Sequence, residues 1–228
     1  MNILFEKPPV SRLKRLQNYI KSLPNLVAYY PLDELSGNAI NRAPATIGTL
    51  DGSVSNVTYN QAGQLGIAYL FNGTTSTVEV TDHANIDLST SFSLFALVNP
   101  TTIGEGGAGR IFDKNSTYGL LFAGTNQMQI FSDATTKSTG NNQITFAGWQ
   151  IIIATVNAGV ETLFYKNGVV ISTNTSMTAP TPNANNLFIG NRSDGARALD
   201  GLAQHLGIVA GVITPAQALR MAQLAGLA

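Results

Sequence analysis

An all-β fold, an antiparallel sandwich of two sheets, is what this sequence predicts, and three observations carry the prediction. Short runs rich in Val, Ile, Thr, Phe and Tyr follow one another from residue 26 to about residue 212. Asn-Gly, Asp-Gly, Gly-Asn and Ser-Asp-Gly punctuate them, with no long helices between that could serve as crossovers of a parallel sheet. The length of 228 residues suits one large sandwich better than two separate domains.

The elements follow in chain order. Val10, Leu13, Leu16, Tyr19, Ile20 and Leu23 fall on one stripe opposite Arg12, Lys14, Arg15 and Lys21, which predicts a short amphipathic helix over 10–23, stopped before Pro24. Pro8 and Pro9 keep the chain ahead of it extended, and Ser11 is a candidate cap. Candidate strands occupy 26–31, 66–71, 76–81, 91–98, 109–113, 117–123, 127–132, 149–156, 161–166, 169–173, 186–190 and 202–209. Alternation in Thr77-Val78-Glu79-Val80 and in Gln127-Met128-Gln129-Ile130-Phe131 marks one buried and one wet face. Asn167-Gly168, between Tyr165-Lys166 and Val169-Val170, has the two residues that a type I′ hairpin turn needs. The last element is a helix from Thr214 to Gly226, with Thr214 as N-cap, Pro215 at the first helical position and Gly226 at the close. Its Ala218, Met221, Ala222 and Ala225 form a small-residue face flanked by Leu219 and Leu224. The expected organisation is therefore a basic arm over 1–24 and a sandwich over 25–228 that includes the helix at 214–226.

Composition bounds the function. Hydrophobic residues make up 44% of the chain and charged residues only 11%, against about 25% charged in an average soluble protein. Net charge is zero, so little self-repulsion opposes packing into an assembly. The charge is unevenly placed: residues 1–21 hold Lys7, Arg12, Lys14, Arg15 and Lys21 against Glu6 alone. A solvated helix face or a docking surface for an acidic partner would both use such a distribution. No dense basic patch interleaved with aromatics points to nucleic acid. Cysteine is absent, which removes disulfides, thiolate metal sites and thiol nucleophiles. Glu6, Lys7 and two prolines break the first apolar run, and no stretch approaches the ~20 apolar residues of a membrane span. A protein made in the cytoplasm and not exported by an N-terminal signal is the expectation.

Seven segments in order resemble the concanavalin A-like lectin/glucanase sandwiches of the laminin-G type. They are Ala28 to Gly37, Leu70-Phe71-Asn72-Gly73 followed by Val78-Glu79-Val80, Ser91 to Pro100, Gly148-Trp149 with Ile151 to Thr155, Leu163 to Gly168, Leu187 to Gly190 with Leu199-Asp200-Gly201, and the helix from Thr214 to Gly226. The resemblance covers 26–226 and implies two curved antiparallel sheets in a jelly roll.

That sandwich carries lectins, hydrolases, adhesion modules and virion proteins alike, so function has to come from sites. A glycosidase needs two carboxylates facing one glycosidic bond, which on a strand means spacings such as Glu-x-Asp. None occurs. Glu79 and Asp82 lie three apart, Asp82 and Asp87 flank a turn, and the neighbours Asp33 and Glu34 are expected to point apart. His83 and His205 have no nucleophile or carboxylate arrangement around them in the sequence. No catalytic residue is therefore expected. The resemblance implies a possible structural calcium held by Asp33 and Asp200, although Asn41 stands where many relatives have Asp. No other cofactor is expected. For sugar, Trp149 reads as a core or sheet-edge residue, and a candidate rim would comprise Tyr118, Asn191, Arg192 and Asp194, with Arg197 beside them.

Two functions follow. The first is a non-enzymatic structural virion protein of a tailed bacteriophage, a capsid-decoration or tail-associated component, whose partners are other virion proteins and copies of itself. In that reading the stripe Leu13, Leu16, Tyr19 and Ile20, with Arg12 and Arg15, forms an assembly arm that leaves its own body; the plainer use of the stripe is to pack on that body. The second function is a carbohydrate-binding adhesin or receptor-binding module whose partners are surface glycans.

Overall fold

The computed structural model describes residues 11–228. Two long apolar runs set the architecture. Strand β6 (Phe92–Pro100) and strand β11 (Gln150–Asn157) are buried along almost their whole length, and a strand loses its alternation when both of its faces are covered. They pair antiparallel, Ile151 beside Leu97 and Ile153 beside Phe95, in the middle of an eight-stranded sheet ordered β13-β12-β11-β6-β15-β4-β3, with β1 also paired to β15. Its remaining strands are β1 (Leu26–Tyr30), β3 (Thr58–Ala62), β4 (Ile67–Asn72), β12 (Glu161–Lys166), β13 (Val169–Thr175) and β15 (Asp200–Val209). A seven-stranded sheet faces it, ordered β10-β9-β8-β7-β14-β5-β2. This is built from β2 (Ser53–Ser55), β5 (Thr77–Val80), β7 (Arg110–Lys114), β8 (Tyr118–Ala123), β9 (Gln127–Ser132), β10 (Thr135–Ser138) and β14 (Leu187–Ile189). All pairings are antiparallel, as expected of the jelly-roll sandwich.

Between the sheets lies the main core, with Phe71, Val78, Phe92, Leu94, Phe112, Leu120, Ile130, Ile152 and Phe164 fully buried. A second core forms on the outer face of the eight-stranded sheet. There helix α1 (Arg12–Lys21) and helix α2 (Pro215–Ala225) pack on each other and cover Phe95, Leu97, Ile151, Ile153 and Tyr165. Capping is as the sequence predicts. The Ser11 hydroxyl accepts from Lys14 N at 3.3 Å, Thr214 and Gln217 form a capping box, and Gly226 ends α2 with φ +77°. Of the two leucines flanking the small-residue face of α2, Leu224 is buried and Leu219 is exposed.

Helix α1, within the described part of the expected arm, therefore packs on the body. Leu16 and Ile20 are fully buried, Leu13 and Tyr19 half-buried, and Arg12 and Arg15 exposed. Val10 and the charged residues before it lie outside the described residues. The stripe packs inward because the sheet beneath it is apolar, and burying that surface releases about 25 cal/mol per Å². No helix among the described residues is long and apolar enough to cross a membrane.

The turn after β1 is tied by Asn41, which is buried. Its Oδ1 accepts from Tyr29 N at 3.0 Å and Ala43 N at 3.2 Å. Its Nδ2 donates to Thr46 O and Thr46 Oγ1 at 2.8 Å each and to Thr49 O at 3.1 Å. An Asp here would bring a buried charge against two carbonyl oxygens and lose every side-chain donor. Asn41→Asp is expected to destabilise the fold by about 2–3 kcal/mol, read as a lower urea midpoint at unchanged slope.

Candidate functional site on the open sheet face

With both helices on one sheet, no helix among the described residues covers the outer face of the other. Along β8 and β9, Leu120 and Ile130 point into the core, while Leu121, Gln129 and Phe131 point outward. These outward residues line a cavity of about 420 Å³ together with Arg110, Asp113, Thr136, Arg192 and Arg197. Phe131 is opposite Gly119 of β8. A Cβ at that glycine would overlap the ring, so its absence lets the ring lie across the sheet.

Arg110 and Asp113 share this face although they are three residues apart, because the register of β7 against β8 shifts between Arg110 and Phe112. Arg110 Nε lies 2.9 Å from Asp113 Oδ2, and its guanidinium sits 5.4 Å from the centre of the Phe131 ring. Asp113 is 1% exposed, and its Oδ1 has no hydrogen-bond partner. Burial pushes the Asp113 carboxyl up to about 6, against the pull of Arg110. Burial also pushes Arg110 down, helped by the charges of Arg192 and Arg197. Both partners thus move toward their neutral forms, which means that removing them from water costs more than their attraction returns.

The expected rim divides. Tyr118 is not on it: the residue is fully buried in the main core, and its hydroxyl donates to Ile86 O at 3.0 Å. Counting alternate positions back from Phe122 and Leu120 places it inward. Asn191 is buried, and its Oδ1 accepts from Arg192 N at 2.8 Å and Arg197 N at 3.1 Å. It shapes the loop rather than lining the cavity. Arg192 and Arg197 do line it. Asp194 is exposed and binds Arg192 through both oxygens, which holds its carboxyl down at about 2. Arg110, Asp113, Gln129 and Phe131 were not among the expected residues. Of these, Phe131 was readable as the apolar residue on the wet side of the Gln127-x-Gln129-x-Phe131 alternation.

The residues expected to hold calcium do not fit it. Asp33 binds Arg42 and accepts from Gln17 Nε2 at 3.3 Å, whereas Asp200 accepts from Thr102 Oγ1 at 2.8 Å. No group of three or more His, Asp or Glu side chains suited to a metal occurs among the described residues. Asp33 and Glu34 also depart from the expectation that neighbours point apart. Both reach Arg42 Nη2, because Leu32, at φ +54°, breaks the strand just before them. Asp82 and Asp87 likewise converge, on the fully buried Lys114 ammonium. Trp149 packs half-buried at the second core, and His83 Nδ1 accepts from Asn85 N at 3.1 Å within its own turn.

His205 is a core residue, 1% exposed, at a bulge in β15. Its Nδ1 lies 2.7 Å from the Tyr29 hydroxyl, while Nε2 has no partner. Burial, with Arg42 nearby, pushes its pKa down to about 3.

A family model of the laminin-G type, described as Concanavalin A-like lectin/glucanases superfamily, matches residues 72–218. No curated protein matches the chain. Among solved structures, domain 4 of AbnA, an extracellular arabinanase from Geobacillus stearothermophilus, in complex with arabinotriose, is similar with a TM-score of 0.66 at 19% identity, over 87% of this chain and 98% of that one. The binding domain of Paraclostridial Mosquitocidal Protein 1 gives 0.67 at 12% identity, over 89% and 52% of the two chains. Botulinum neurotoxin type C, whose cell entry is described as dependent on interaction with two ganglioside molecules, gives 0.61 at 13% identity, over 87% and 51%. The chain thus spans nearly all of the arabinanase domain but about half of either toxin chain. At these identities the likeness speaks to the fold alone.

Proposed function

The chain belongs to the concanavalin A-like lectin/glucanase superfamily, and from that premise we propose that it is a non-catalytic carbohydrate-binding module. This is the second of the two functions expected from the sequence; the virion role finds no support in the comparisons. The observation that carries the reading is the open-face cavity, where an aromatic ring and a guanidinium sit beside a buried carboxylate oxygen that lacks a hydrogen-bond donor. A sugar suits such a lining: its C–H faces lie against flat groups, and its hydroxyls satisfy the stranded acceptor. Similar domains described with arabinotriose and with gangliosides support it.

The cavity is poorly equipped for hydrolysis, which needs an acid and a second carboxylate facing each other across the bond. Asp113 is held by Arg110 and Asp194 by Arg192. Asp133 accepts from Thr181 N and Oγ1 at 2.9 Å each.

Titration against an oligosaccharide array is the test. Binding is expected to weaken by up to about tenfold in Phe131→Ala, with no release of reducing ends from any bound glycan. Undiminished binding by that variant would place the sugar elsewhere on the molecule, and new reducing ends would make the protein a hydrolase.

A further inference from the structure

If the cavity holds a sugar, its charges say which kind. Three guanidinium groups, those of Arg110, Arg192 and Arg197, line one cavity. They are close enough that Arg192 and Arg197 both disfavour the charged form of Arg110. Two of them have carboxylate partners, Asp113 for Arg110 and Asp194 for Arg192. Arg197 makes no ion pair among the described residues. One of its terminal nitrogens donates to Ala196 O at 3.1 Å, and the guanidinium lies against Gly106, where any Cβ would collide with it. The glycine, at φ +58°, thus leaves room for this side chain. The remaining carboxylate at the cavity, Asp133, has both oxygens occupied by Thr181.

Besides Arg110 Nε, which lies by Asp113 Oδ2 without a hydrogen bond to it, two unmet requirements sit in one cavity. Arg197 lacks an anion, and Asp113 Oδ1, in a side chain that is 2% exposed, lacks a hydrogen-bond donor. A neutral sugar meets only the second. A mineral anion meets only the first. A sugar ring that carries an acid group meets both, and a planar carboxylate matches the guanidinium fork oxygen for nitrogen.

We propose that the ligand is an acidic sugar, whose carboxylate pairs with the Arg197 guanidinium while one of its ring hydroxyls donates to Asp113 Oδ1. This inference rests on the carbohydrate-binding reading above and sharpens it. An anion at Arg197 also relieves the mutual repulsion of the three cations, so binding is expected to favour the charged form of the sugar over its neutral ester.

The experiment uses the protein as it stands, titrated against uronate-, sialate- and sulfate-bearing oligosaccharides, each beside its neutral counterpart: methyl-esterified, desialylated or desulfated. The expected result is binding to a carboxylate-bearing member at least about tenfold tighter than to its neutral counterpart, the scale of one charge-assisted hydrogen bond. Arg197→Gln is expected to erase that preference while the melting temperature stays put. Because the acid and ester are compared on the unaltered protein, the outcome does not depend on the variant folding. Equal affinity for acid and neutral forms, with binding still weakened by Phe131→Ala, would overturn the acidic-sugar assignment and leave the carbohydrate-binding reading standing. Binding confined to sulfated members would overturn the carboxylate. Binding to no member would overturn both.

Discussion

Replacing Leu16 and Ile20 together by Ala is expected to lower the stability of the fold by about 4–8 kcal/mol, since each large-to-small change in a packed core costs about 2–5 kcal/mol. The two side chains are fully buried one turn apart on α1, in the cluster that includes Phe95, Leu97, Ile151, Ile153 and Met221. The vacated spaces adjoin, so the losses are coupled and need not add. A domain of this kind holds about 5–15 kcal/mol in total. The double variant would thus lose much of its stability, with a fall in melting temperature on the order of 10–25 °C at about 2–4 °C per kcal/mol. The charged side of the same helix provides the control. Arg12→Gln and Arg15→Gln alter exposed positions and are expected to stay within about 0.5 kcal/mol of the parent. An assembly arm that left the body would behave otherwise: Leu16→Ala with Ile20→Ala would leave the melting curve alone and change only the mass measured by light scattering. A calorimetric scan of both variants separates these cases.

The helix illustrates how far the sequence could be read. An amphipathic stripe shows that a helix needs a partner and does not say which. The evidence that the partner is this body lies elsewhere in the chain, in the nearly continuous apolar runs of β6 and β11, which need cover on two faces. Strands with an apolar run or a clean alternation were legible, and so were the Asn167-Gly168 hairpin and both ends of α2. The three unforeseen strands, Ser53–Ser55, Thr58–Ala62 and Thr135–Ser138, close the ends of the sheets. Polar edge strands are held by backbone pairing more than by side-chain burial, so they leave little trace in hydropathy. At the cavity, the loop arginines 192 and 197 were visible because loops rich in Asn, Asp and Gly display their charges. Arg110 and Asp113 were hidden by the bulge that puts positions three apart on one face. Tyr118 is the opposite case: strict alternation from Leu120 holds there, so the side chain points into the core although its strand begins beside a turn.

Acid should act on this protein through two buried groups with opposite signs. His205 is neutral in the fold down to about pH 3 but takes a proton near 6.5 when unfolded. Below 6.5 the unfolded chain therefore binds more protons. The stability His205 supports is complete above that pH and falls by about 1.4 kcal/mol per unit toward pH 3, to at most about 5 kcal/mol. Asp113 runs the other way. Its carboxyl ionises near 6 in the fold and near 3.8 in the unfolded chain, so between those values the fold binds more protons. Its contribution is greatest below about pH 4 and is lost as pH rises through 6, by about 2–3 kcal/mol. Between pH 6 and 4 the two slopes oppose, and each is exposed by removing the other. His205→Asn keeps a residue that tolerates the left-handed backbone there, at φ +50°, and gives up the contact with Tyr29. It is expected to be less stable than the parent at pH 7 and to overtake it as pH falls. Asp113→Asn retains an acceptor for Arg110 and removes the buried charge. It is expected to be more stable than the parent at pH 7, with the advantage gone by about pH 4. Urea titrations of the parent and both variants at pH 7, 5.5 and 4 read these differences directly. A His205→Asn difference that does not change with pH would mean that the imidazole titrates in the fold as it does in the unfolded chain, and a destabilised Asp113→Asn at pH 7 would mean that the ion pair repays its desolvation. If Asp113→Asn is stabilised and also loses the acid-sugar binding proposed above, the charge is kept at a cost in stability because the ligand needs it.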